Sequence, residues 1–256
     1  MIQAVITPAA GKRLIAKSLV NHPAVRRALQ SGTVVVVAGT TNGYVAEELL
    51  SVCRNAEGFS RQRFFRGITL PQYQKTTDSG RLPDESLFPG DVVIQKGNWL
   101  KGKTVFDVID DLKEGDVILK GANAVDLVQK LAGVLIGHPK GGSLVTALQA
   151  VVGRRVSLIL PVGLEKRVST DLNSLAFRLN APGAQGARML PVPGEIVTEI
   201  EAFKILTGAS AELVAAGGVC GAEGAVWLAI SGTFEQEDSA KAILTDVSRE
   251  PPFTLK

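Results

Sequence analysis

TVVVVAGTTNGYVAEEL, residues 33–49, is the stretch on which the reading of this chain turns. Val34, Val35, Val36 and Val37 form an uninterrupted β-branched run. A run with no polar face suits a strand covered on both sides, as in a parallel sheet. It ends in Gly-Thr-Thr-Asn-Gly and then passes into a helical pattern over 44–53. Strand, tight loop and helix in that order predict an α/β protein. The loop is also the first candidate site. Gly39 at a strand end allows an anion close to the backbone, while Thr40, Thr41 and Asn42 offer hydroxyls and an amide. The following helix presents free N–H groups and the positive end of its dipole, so phosphate is the natural ligand. An ordinary helix N-cap uses the same residue types.

Outward from this unit, residues 2–7 read as a short strand and 9–30 as a helical region, broken at Pro23. Residues 90–98 (GDVVIQKGN) and 115–123 (GDVILKGAN) form an internal repeat. Both read as buried strands ending in Lys-Gly and Asn, with a helix at 104–112 between them. Repeated strand ends would set like polar groups along one sheet edge, where ligands of open α/β folds bind. Turn chemistry alone also explains Gly and Asn, and Lys96 is assigned to a turn. Further helices are expected at 124–135 and after the Gly-rich turn at 137–142, and another buried strand at 156–163. The runs at 33–38, 116–120 and 156–161 should therefore be neighbours, mostly parallel, with their C-terminal ends on one edge. Residues 59–91 lack periodicity, and 71–90 is long for a plain connection, which suggests a lid, an arm or a partner contact. Within it, 59–67 (FSRQRFFRG) alternates basic and aromatic residues, which a nucleic-acid patch would also show, and is read as an irregular strand with solvated arginines.

The last part changes character. A strand at 187–192, a helix at 195–206, strands at 212–216 and 225–231, a helix at 236–247 and a short strand at 253–255 give the order βαββαβ, the ferredoxin-like unit. Ile196, Ile200, Phe203, Ala240 and Ile243 should be buried there. The expected architecture is a Rossmann-like, mostly parallel α/β domain over 1–180 and a ferredoxin-like α+β domain over 181–256.

Bulk properties narrow the function. Apolar residues make up 45% of the 256, enough for a packed core. A formal charge of +3 and 5% aromatic residues argue against a nucleic-acid partner. Two cysteines and two histidines, widely spaced, outline neither a disulfide framework nor a metal site, and no cofactor is expected. The N-terminus lacks a signal-peptide pattern and no apolar run is long enough for a bilayer, so a cytoplasmic protein without membrane contact is expected.

Two more loops could carry chemistry. Lys140-Gly141-Gly142-Ser143 precedes a helix and combines a charge with bare backbone. Lys120-Gly121-Ala122-Asn123, with Asp126 shortly after, follows a buried strand. The order of these segments resembles type A ribose-5-phosphate isomerase, within the wider superfamily of sugar-phosphate isomerases and CoA transferases. KRLIAKSLV and TVVVVAGTTNGYVAEEL resemble the family's opening helix and phosphate loop. Residues 121–126 (GANAVD) are similar to its Gly-Ala-Asp-Glu-Val-Asp motif, 140–143 to its Lys-Gly-Gly-Gly turn, and 190–197 (LPVPGEIV) to its Pro-Leu-Pro-Val-Glu-Val segment. VSLILPVGLEK brings Lys166 to the place of a family lysine.

The resemblance implies a catalytic pair, Asp126 and Lys140, and a base nine residues after the turn lysine. Gln149 stands there, and the first two acids of the motif are Asn123 and Ala124. An amide does not accept a proton from a carbon acid, as forming an enediol requires. The resemblance therefore implies a binder of a sugar phosphate-like metabolite at Gly39, Thr40, Thr41, Asn42, Lys120, Gly121, Asn123, Gly141, Gly142, Ser143 and Lys166, without standard isomerase activity. An active isomerase or transferase with a relocated carboxylate, Glu165 being the nearby candidate, and a non-catalytic regulatory protein or homo-oligomer are the alternatives.

Overall fold

The structure, a computed structural model, describes residues 1–255 except Ser79. Two hydrophobic cores meet at the valine run. Val34 and Val36 belong to one, Val35 and Val37 to the other. The same alternation divides Val117 and Leu119 from Ile118, and Ile159 from Leu158 and Leu160. A strand between two cores has no face to give to water, which is why these segments are apolar throughout.

The chain begins β1 (Ile2–Ile6), α1 (Pro8–Asn21), α2 (Pro23–Ser31), β2 (Thr33–Val36), α3 (Thr40–Val52). It continues β3 (Val92–Gln95), β4 (Asn98–Trp99), α4 (Val105–Val108), β5 (Val117–Leu119), β6 (Ala124–Asp126), β7 (Leu131–Ile136), α5 (Gly142–Arg154), β8 (Ser157–Pro161). It ends α6 (Leu172–Leu179), β9 (Arg188–Val192), β10 (Glu195–Val197), α7 (Glu199–Thr207), β11 (Ser210–Ala216), β12 (Val226–Ser231), α8 (Phe234–Val247).

The central sheet has the order β10-β8-β5-β2-β3-β4. From β10 to β2 every pairing is parallel, and β3 and β4 close the far edge antiparallel. The expected neighbours β2, β5 and β8 are thus adjacent, parallel and end on one edge. One face carries α1, α2, α3 and α7, through Leu14, Val25, Leu49 and Phe203. The antiparallel sheet β1-β12-β11 joins that core through Ile6, Leu228 and Ile230. The other face is covered by α4, α5 and the hairpin β6-β7, through Val105, Ala147, Val125 and Val134. Among the described residues no helix is long and apolar enough to cross a membrane.

Several expectations are corrected. Residues 124–135 form the hairpin β6-β7 rather than a helix. Their apolar residues fit a helical period, but Asp126 accepts from the amides of Val128 and Gln129 and turns the chain, and Lys130 completes the turn at φ 51°. The division at residue 180 does not separate the sheets. β10, from 195–197, lies in the central sheet, β1 pairs with β12, and β9 pairs with β7. Residues 253–255 form no strand. The C-terminal sheet therefore takes its outer strand from the N-terminus, a long-range pairing that local periodicity does not reveal.

Helix α7 starts later than expected, where Thr198 and Glu201 form a capping box. Phe203 and Ala240 are buried as expected and Ile200 and Ile243 half-buried in the same core, whereas Ile196 packs into the second core. The arginines of 59–67 are not all solvated. Arg61 pairs with Glu47 at 2.6 Å and lies over the Tyr44 ring at 4.4 Å.

Candidate functional site

The C-terminal ends of β2, β5 and β8 open onto a cavity of about 620 Å³. Its floor comes from Gly39, Thr40 and Thr41 after β2, from Lys120, Gly121 and Asn123 after β5, and from Lys166 after β8. Gly141, Gly142 and Ser143 at the start of α5 form a second side, with His138 beside them. A third wall comes from the irregular segment, including Arg66, Thr69, Asp78, Arg81 and Glu85. This segment, open between lid, arm and partner contact in the sequence, folds against the cavity, with the Ile68 amide donating to Gly80 O at 2.9 Å.

Two helix N-termini therefore face one space. At α5 the glycines are required: Gly141 has φ 78° and Gly142 φ 58°, and a Cβ on Gly141 would fall 2.2 Å from Val145 Cγ2. Gly39 acts differently. Its backbone is extended, and a Cβ there would meet nothing within 4 Å, so glycine keeps space open above α3. Thr41 is buried with its hydroxyl unpartnered among the described residues. A buried hydroxyl without a partner costs roughly 1–3 kcal/mol, a cost that a hydrogen-bonding ligand or water would remove.

The cations are held from below. Arg66 pairs with Asp91 at 2.7 Å and lies over the rings of Phe88 and Phe106. Asp91 is buried and also accepts from the amides of Ala38 and Val105, so it fixes both the strand end and the arginine. Among the described residues Lys120 has a single weak hydrogen bond, to its neighbour's carbonyl at Gly121 O, 3.5 Å away. Burial brings its ammonium down to about 8; Asp91 pulls it back up, while Arg66 and Lys166 push it further down. Lys166 donates to Ala122 O at 3.0 Å, and burial lowers it too. Behind Lys166, Glu199 is 2% exposed and accepts from the Leu164 amide at 2.9 Å. Burial and the neighbouring Glu165 push its carboxyl up to about 7.

No family model and no curated protein matches the chain. The site rests on its geometry.

Of the residues singled out from the sequence, Gly39, Thr40, Thr41, Lys120, Gly121, Asn123, Gly141, Gly142, Ser143 and Lys166 converge on the cavity. Asn123 also accepts from the Leu135 amide at 3.0 Å and so shapes the wall. Four residues do not join them. Asn42 is fully buried and donates to Val37 O and Leu119 O, tying the ends of β2 and β5 together. Asp126 is spent on the hairpin turn. Lys140 is exposed outside the lining, because the left-handed Gly141 and Gly142 turn the chain after it. Gln149 is exposed on α5, away from the cavity lining.

Arg66, Arg81, His138 and Glu199 were missed. For Arg66 the signal was present: an arginine among phenylalanines, with a buried Asp at the start of a strand. Among the described residues no group of His, Cys, Asp and Glu could hold a metal ion.

Proposed function

We propose that the cavity binds a small phosphorylated metabolite of the sugar-phosphate type and does not run the standard isomerisation. One observation carries this reading: the N-termini of α3 and α5, far apart in sequence, meet at a cavity lined by Arg66, Arg81, Lys120 and Lys166. Its described carboxylates are Asp78 and Glu85, and Glu85 is paired with Arg81 at 2.8 Å. Two helix N-termini, with Lys120 and Lys166 forming no ion pair among the described residues, favour an anion. The resemblance to type A ribose-5-phosphate isomerase and its superfamily belongs to this proposal. So does a Rossmann-like description of the central sheet, and a ferredoxin-like one of β1-β12-β11 with α7 and α8. Neither Asp126 nor Gln149 lines the cavity, which supports an inherited binding site over a retained reaction.

A second reading, catalysis by a relocated carboxylate, rests on Glu199, which lies outside the cavity lining and would act through Lys166. A carboxyl near 7 is matched to proton transfer at neutral pH, and it lies close behind Lys166. A thermal-shift screen of phosphosugars, nucleotides and CoA esters tests the first reading, since a ligand of the native state raises its melting temperature. Assay of ribose 5-phosphate conversion by the unaltered protein, Gln149→Glu and Glu199→Gln separates the two. Turnover lost in Glu199→Gln supports the second reading; stabilisation without turnover supports the first.

A further inference from the structure

The anion-binding reading uses Lys120 only for its charge, which it shares with Lys166, Arg66 and two helix ends. Lys120 sits at the end of β5, the strand between β2 and β8, and so in the middle of the cavity floor. Among the described residues its nitrogen has only the 3.5 Å hydrogen bond to Gly121 O and forms no ion pair. The carboxylate that faces it, Asp91, is committed to Arg66 and to two backbone amides. Arg66 and Lys166 are the other charged groups acting on it. A lysine desolvated next to other cations is the arrangement that makes an amine nucleophilic. Lys166 differs, for it is anchored on Ala122 O and faces Glu165 and Glu199.

We infer that Lys120 condenses through Nζ with the carbonyl carbon of an aldehyde or ketone whose anionic group is held by the α3 and α5 loops. The inference rests on the anion-binding reading of the same cavity. The nitrogen lone pair attacks the carbonyl carbon and the C–O π bond opens to a carbinolamine. The oxygen then leaves as water, carrying both hydrogens of the neutral amine, and a C=N bond remains. No oxidant or further reactant is needed. With the ammonium titrating near 8, roughly a quarter of the chains carry the free amine at pH 7.5, against about one in a thousand for an ordinary lysine.

The test uses pyridoxal 5′-phosphate and pyridoxal, which share an aldehyde and differ in the phosphate. Each is incubated with the full chain at pH 7.5, trapped with cyanoborohydride and mapped by peptide mass spectrometry. Inorganic phosphate is titrated in parallel by thermal shift. The expected result is selective labelling of Lys120, about tenfold or more faster than any exposed lysine because of its larger neutral fraction, and faster with the phosphorylated probe. Lys120→Arg should lose the adduct while Lys166→Arg keeps it. Labelling of Lys120 at equal rates by both probes supports the imine and removes the anion reading. Labelling spread over exposed lysines, or confined to Lys166, overturns the imine; phosphate stabilisation in that case leaves the anion reading standing. The site of labelling on the unaltered protein decides the matter even if a variant misfolds.

Discussion

Segments 90–98 and 115–123 share a pattern, GDVVIQKGN and GDVILKGAN, yet they flank β2 in opposite directions. β3 runs antiparallel to β2 and β5 parallel to it. Their aspartates consequently bind opposite ends of the same strand. Asp116 accepts from the Thr33 amide at its start, and Asp91 from the Ala38 amide just past its end. Their lysines are separated in the same way. Lys120 lies on the cavity floor, while Lys96 is exposed in the β3-β4 turn at φ 49°. A motif acquires its role from the strand direction, which the residues of the motif do not contain.

The aspartates offer the largest way to break the comparison. Asp91→Ala should cost about 3–5 kcal/mol, since it leaves the half-buried Arg66 guanidinium and two amides unpaired. Asp116→Ala, which strands the Thr33 and Lys113 amides, should cost roughly 1–3 kcal/mol. Urea midpoints measure both, and equal losses would mean that Arg66 is solvated.

The lysines come next. Lys120 titrates near 8 in the fold against an ordinary 10.5. Its folded state binds the proton less readily, so the charge destabilises the fold below about 8, progressively less up to 10.5, and not above. Lys120→Met should therefore stabilise the ligand-free protein by on the order of 1–3 kcal/mol at pH 7, and the gain should disappear near pH 10.5. Lys96→Met should change stability little at either pH. A smaller gain belongs to Lys96→Gly, which relieves a left-handed backbone and should add about 0.5–1 kcal/mol.

Much of the central sheet was legible because burial on both faces leaves an all-apolar signature, as in 33–38 and 156–161. The loops after β2 and at the start of α5 were legible because glycines and hydroxyls mark helix starts, and the loop after β5 because Lys120-Gly121 ends an apolar strand. What was not legible depends on distant pairing. Nothing local tells β1 to join β12, or β10 to leave its helix for the central sheet. The hairpin at 124–136 hid because Asp126 makes its turn without glycine or proline. Lys140 was misplaced because its loop reverses at Gly141 and Gly142, and Arg66 was overlooked because its partner Asp91 is 25 positions away.

The most direct test of the anion site is a thermal titration with inorganic phosphate at pH 7 and low salt, comparing the unaltered protein with Lys120→Met, Lys166→Met and Lys96→Met. A phosphate-dependent rise in melting temperature is predicted for the unaltered protein and for Lys96→Met. It should shrink with added sodium chloride, and be much reduced in Lys120→Met and Lys166→Met. An equal rise in all four proteins, or none in the unaltered one, would contradict an anion site at the ends of β2, β5 and β8.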